Sequence, residues 1–173
     1  MPQLTSCFIG IGANLAPDGF ASPQEGLVAA IDWLAERGQQ IVARSSWYRS
    51  APVPVSDQPD FINAVLHLSS PLAAHDLLAL LNEAEAAFGR VRHRRNEARV
   101  LDLDIIDFGG QIIATDRLSC PHPRAALRAF VLLPLAEIAP DWVHPLTGEK
   151  IARLIDQLPA DQQISRLAGG GAA

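Results

Sequence analysis

Arg99-Val100-Leu101-Asp102-Leu103-Asp104-Ile105-Ile106 is the stretch on which the reading of the fold turns. Leu101, Leu103 and Ile105 alternate with Asp102 and Asp104, the period of a β-strand buried on one side. Alternation puts both carboxylates on the other face, with Cα atoms roughly 6–7 Å apart. Two carboxylates so placed repel unless a cation lies between them or one keeps its proton. Mg²⁺ suits such a pair, because it takes one or two carboxylates and completes its shell with waters and phosphate oxygens.

Opposite charge lies just upstream, in Arg90, Arg92, Arg94, Arg95 and Arg99. A guanidinium matches phosphate geometry and keeps its proton at neutral pH. The juxtaposition has two readings: a site for a metal-bound nucleotide triphosphate, or a solvated charge run beside a strand with an exposed acidic face. Spacing alone does not choose between them.

The chain has 173 residues, the length of one domain with a real core. Residues 1–168 are expected to form it, with Gly169-Gly170-Gly171-Ala172-Ala173 as a disordered tail. Apolar and charged fractions of 49% and 19% are those of a soluble globular protein. A net charge of −5 argues against a nucleic-acid surface, so the arginine cluster is a local feature. Cys7 and Cys120 have no metal-ligand spacing, and neither a basic leader nor a long apolar run is present. A reduced cytoplasmic protein without membrane association is the expectation.

Along the chain, Cys7 to Leu15 reads as a strand that breaks at Gly10 and Gly12, which take the role of a turn. A dinucleotide fingerprint is excluded because Leu15 stands where its third glycine belongs. Ser22-Pro23-Gln24-Glu25 opens a helix with a capping box, and Gly38 closes it. Gln40 to Tyr48 is a second strand, followed by a loop with Pro52, Pro54 and Pro59 that forms a semi-rigid wall. In the third strand, Phe61 to Leu68, the residues Ile62, Ala64, Leu66 and Leu68 face the core, while Phe61, Asn63 and His67 share the other side. A second helix spans Leu72 to Phe88, with Glu85 off its apolar stripe, either facing the arginine cluster or, by default, an ordinary surface residue. Past Gly109-Gly110, Gln111 to Ala114 reads as the return strand of a hairpin. His122 sits stiffly between Pro121 and Pro123; Leu132 to Ile138 is core, and Lys150 to Leu158 is a last short helix. Irregular alternation with tight connections favours an α+β domain with a mostly antiparallel sheet.

In this order the motifs resemble the 6-hydroxymethyl-7,8-dihydropterin pyrophosphokinase family of folate biosynthesis. The matching pieces are Ile11-Gly12-Ala13-Asn14-Leu15, Ser45 to Val53, Asp57 to Ala64, Gly89-Arg90-Val91-Arg92, Arg99 to Ile105, and Pro121-His122-Pro123-Arg124 continued by Arg128 to Leu132. They run from about Phe8 to Pro140. The resemblance implies a ferredoxin-like fold and transfer of pyrophosphate from ATP to the pterin hydroxymethyl group, releasing AMP. It implies that Asp102 and Asp104 hold two Mg²⁺ ions, and that Arg90 and Arg92 act in catalysis. Glu85, Arg90, Arg92, Arg99, Ile105, His122 and Arg128 match positions around ATP. Ser50, Ala51, Val53, Phe61, Asn63 and Phe130 match the pterin pocket, the two phenylalanines stacking on the ring. The expected partners are these two small molecules alone, bound by a monomer.

One departure stands out. Where the family reads Arg-Trp-Gly-Pro-Arg-Thr, this chain reads Arg95-Asn96-Glu97-Ala98-Arg99-Val100. The absent Trp packs over bound substrates in the family, so closure is expected to be weaker here or to use other contacts. Comparing loop closure and turnover with those of Asn96→Trp by stopped flow tests this; unchanged parameters would refute it. A binding protein that has lost catalysis is the second reading, separated from the first by an assay for AMP. An RNA-binding ferredoxin-like module is a third, against which the acidic charge and low aromatic content argue.

Overall fold

A computed structural model describes residues 2–90 and 98–168. The elements in chain order are β1 (Thr5–Ala13), α1 (Pro23–Glu36), β2 (Gln40–Arg44), β3 (Tyr48–Ser50), β4 (Phe61–Ser70), α2 (Ala74–Ala87) and β5 (Asp102–Phe108). There follow β6 (Ile113–Ala114), β7 (Ser119–Cys120), a 3₁₀ turn (Ala125–Leu127), α3 (Ala129–Ile138), α4 (Ile151–Asp156) and β8 (Ile164–Arg166). Arg92, Asn96 and the 169–173 tail, on which the sequence raised expectations, lie outside the described residues.

The main sheet runs β5-β1-β4-β3-β8, with β2 also on β4. Its ladders are antiparallel, as the ferredoxin-like expectation requires. Helices α1 and α2 cover one face. Ile9 and Ile11 of β1, Ala64, Leu66 and Leu68 of β4, and Leu103 and Ile105 of β5 meet Leu27, Leu34, Leu77 and Leu81 there in a dry core. Part of the other face is covered by α3 and α4, where Val65 and Ile106 meet Leu132, Leu135 and Leu154. The rest of that face is open. No helix among the described residues is long and apolar enough to cross a membrane.

Helix α1 starts as its cap predicts. Ser22 Oγ accepts from Glu25 N at 3.2 Å, Pro23 opens the first turn, and Gly38 takes φ +85° after the end. Three local expectations are corrected. Strand β1 does not break at Gly10 and Gly12 but passes through both, paired on each side. The strand foreseen over Gln40 to Tyr48 divides into β2 and β3, because Ser45 Oγ accepts from Val65 N at 3.0 Å and replaces a ladder bond. The Gln111 to Ala114 segment does not return along β5. Gly109 and Gly110 both take positive φ (60° and 72°), and the chain leaves the sheet to pair Ile113 with Cys120. Strand β8 carries no apolar alternation and was not foreseen.

Candidate functional site

The open part of the sheet is the floor of a cavity of about 1010 Å³. Register explains its shape. Gly12 lies between Asp102 and Asn63, and Gly10 between Asp104 and Val65. A strand without side chains therefore separates the carboxylates from Asn63. A Cβ at Gly12 would stand 2.7 Å from Asn63 Oδ1. Gly12 serves close approach, and neither glycine makes a turn.

Most of the residues singled out in the sequence line this cavity: Ser50, Ala51, Val53, Phe61 and Asn63 on one side, and Arg90, Arg99, Asp102 and Asp104 on the other. His122, Arg128 and Phe130 come from the wall that leads into α3. Two do not line it. Ile105 is 2% exposed and packs in the α1/α2 core, because alternation turns it away from the aspartates; Ile106 faces the cavity instead. Glu85 is buried at 4% exposure, contrary to its default as a surface residue. Its carboxylate accepts from Leu103 N at 2.9 Å and pairs with Arg90, so it stands behind the site and holds that guanidinium.

Charge is unevenly shared between the two aspartates. Asp102 Oδ1 accepts from Arg90 Nη1 and Arg99 Nη1, each at 2.9 Å. No hydrogen bond from the described residues reaches the Asp104 carboxylate. Burial pushes its pKa up to about 7, with Asp102 adding to the rise and Arg128 opposing it. Such a pair fits a hard cation, which would relieve the repulsion and accept phosphate oxygens on its far side. The described residues contain no cluster of three His, Cys, Asp or Glu that could hold a metal, so an ion on the two aspartates would fill its shell with waters or phosphate oxygens.

His122 is held as a neutral donor. Its Nδ1 accepts from Arg124 N at 3.1 Å, which leaves the proton on Nε2. Burial, reinforced by Arg128, lowers its pKa to about 4. Burial also lowers the pKa of Arg128, whose guanidinium lies 5.3 Å from the centre of the Phe130 ring. Across the cavity Asn63 Nδ2 donates to Ser50 Oγ at 2.7 Å, which fixes the amide plane.

Two contributors escaped the sequence reading. Asn14, 2% exposed, joins the loops on either side of the cavity. Its Oδ1 accepts from Arg99 N at 2.7 Å, and its Nδ2 donates to Gln58 Oε1 and Pro59 O, both at 3.1 Å. A polar amide directly after a buried Gly-Ala strand end was the available signal. The second is Glu137 of α3, which accepts from Ser46 N, Ser46 Oγ and Tyr48 Oη at 2.7–2.8 Å and so ties α3 to the strand bearing Ser50. Nothing in its helical spacing announced that.

Residues 8–140 match the family model for 7,8-dihydro-6-hydroxymethylpterin-pyrophosphokinase. A Synechocystis protein named 2-amino-4-hydroxy-6-hydroxymethyldihydropteridine pyrophosphokinase is 40% identical over 156 residues, covering 90% of this chain and 77% of that one. Its namesake in Pseudomonas aeruginosa is 40% identical over 163 residues, covering 94% and 96%. The crystal structure of Plasmodium falciparum HPPK-DHPS is 12% identical, with a TM-score of 0.68 over 90% of this chain, and demonstrates likeness of fold. This chain spans 46% of the Plasmodium chain.

Proposed function

The chain belongs to the 7,8-dihydro-6-hydroxymethylpterin-pyrophosphokinase family, whose members transfer pyrophosphate to hydroxymethyldihydropterin in folate synthesis, and on that premise we propose how its residues do so. The donor is ATP, AMP is released, and one domain spanning residues 1–168 acts as a cytoplasmic monomer. The observation that carries the reading is the facing of Asp102 and Asp104 against Asn63 across the bare floor of Gly10 and Gly12.

Asp102 and Asp104 would hold two Mg²⁺ ions, which would supply charge neutralisation to the triphosphate. Arg90, Arg99 and Arg128 offer guanidinium forks to the phosphates, joined by Arg92 on the sequence resemblance. Glu85 keeps Arg90 aimed at the cavity. His122 Nε2–H donates to a phosphate oxygen without adding charge. On the acceptor side Phe61 and Phe130 stack on the pterin, and Asn63 with the backbone of Ser50 to Val53 reads its edge. No described side chain is needed as a general base, since phosphoryl transfer rests on positioning and charge.

Purified protein incubated with ATP, Mg²⁺ and the dihydropterin should release AMP, and chelation of the metal should stop it. ATP and pterin bound without AMP formation would favour a binding protein instead. Absence of binding would refute the site.

A further inference from the structure

The cavity has a wall that lies beyond the 8–140 family match: Asp161 to Ile164, the run into β8. Its central contact is unusual. Gln162 Oε1 accepts from Ala129 N at 2.7 Å, while Gln162 Nε2 donates to Leu127 O at 2.7 Å. One side-chain amide thus bonds the backbone on both sides of Arg128, as a neighbouring strand would. Arg128 has an extended backbone there (φ −116°, ψ 115°), between the 3₁₀ turn and α3. The first turn of α3 has no side-chain cap from Arg128, so Gln162 satisfies one of its free N–H groups from across the chain.

The same segment grips the opposite wall. Ala51 N donates to Gln163 O at 3.2 Å, and β8 continues along β3 with Ile164 opposite Ser50. Residues 162–164 therefore lace the wall that carries Arg128 and Phe130 to the wall that carries Ser50 and Ala51. Loosening Gln162 would free the Arg128 backbone on both flanks at once.

We propose that Gln162 is a positioning residue of this active site: its amide clamps Leu127 and Ala129 and thereby sets Arg128 for the triphosphate and Phe130 for the pterin ring. The proposal rests on the assignment of Arg128 and Phe130 made above. Binding energy held in preorganised walls is lost as affinity when the walls loosen.

The test compares wild type, Gln162→Ala, Gln162→Glu and Ser165→Ala. Gln162→Ala should raise KM for ATP and for the pterin by about tenfold each with kcat changed far less, the size expected from losing a pair of hydrogen bonds. Gln162→Glu keeps the acceptor for Ala129 N but sets a carboxylate oxygen against Leu127 O, so it should raise both KM values as Gln162→Ala does. Ser165→Ala, at an exposed position of β8, should match wild type. Hydrogen exchange reads the clamp without substrate: the Ala129 amide should exchange faster in Gln162→Ala and be slowed again in Gln162→Glu. Unchanged KM values alongside a lowered melting temperature would reduce Gln162 to a structural contact and overturn the proposal. Unchanged Ala129 exchange would overturn it as well. A wild-type protein without turnover would instead overturn the assignment of the site, and the proposal with it.

Discussion

The two faces of β5 follow different rules. On one, Leu103 and Ile105 are at most 4% exposed, and their side chains pack in the apolar core under α1 and α2. On the other, one residue away along the same backbone, Asp102 and Asp104 look into the cavity of about 1010 Å³. The first face is selected for volume and dryness, so its residues contribute stability and tolerate exchange of one aliphatic for another. The second holds like charges together at a cost to the folded state, which a chain accepts where chemistry requires it. Stability and activity should therefore separate by face.

The largest effect expected is on turnover. Asp102→Ala and Asp104→Ala should each lower kcat by roughly a thousandfold or more, the order seen when a main electrostatic stabiliser is removed. The fold should survive, as circular dichroism would record. Asp104→Asn should in addition leave the melting temperature at or above that of wild type. The pKa of Asp104 is raised, so its ionised form weakens the folded protein and neutralising it removes that penalty. Near-normal activity in either alanine variant would break the contrast between the faces.

Ile105→Ala probes the dry face of the same strand. It should cost about 2–5 kcal/mol in denaturant unfolding, as large-to-small changes in a packed core do, and leave KM for ATP unchanged. A raised KM without loss of stability would return Ile105 to the nucleotide, where the family resemblance had put it.

Glu137 lies where the open face becomes a covered one, and its effect should be smaller. Burial raises its pKa, but the bonds from Ser46 and Tyr48, together with Arg166, outweigh this and hold it below the usual glutamate range. A depressed carboxylate stabilises the fold above its unfolded pKa, and that stability is lost as pH falls through the folded value. Glu137→Gln should thus cost about 1–3 kcal/mol at pH 7 and progressively less below the ordinary glutamate range, measured by urea unfolding across pH. A penalty independent of pH would assign the loss to packing.

The smallest change expected is none at all. The ¹⁵N shifts of His122 should report a neutral ring, protonated at Nε2, from pH 8 down to about pH 5, because its pKa lies near 4. Titration near pH 6.5 would mean that the open face is wetter than its geometry implies.

Much of the site was legible because its signals are local. Alternating Asp and Leu, a capping Ser22-Pro23 and the spacing of Phe61 and Asn63 are set by backbone periods that any reader of the chain can count. The errors have a common origin. Gly10 and Gly12 were read as a turn because a glycine's freedom is visible in sequence, whereas the Asn63 amide against which Gly12 lies is 51 residues away. Glu85 stayed open between the arginine cluster and the surface because its partners, Arg90 and Leu103 N, are set by packing rather than by its own helix.

By itself, then, the sequence determined the family, the strand that presents two carboxylates, and the residue types that meet phosphate and pterin. Tertiary structure alone decided which aspartate is neutralised by arginine, and how Asn14, Glu137 and Gln162 tie distant segments together. Periodicity acts along the chain over a few residues. Hydrogen bonds and desolvation act through space, between groups that only the finished sheet brings within 3 Å or so of one another.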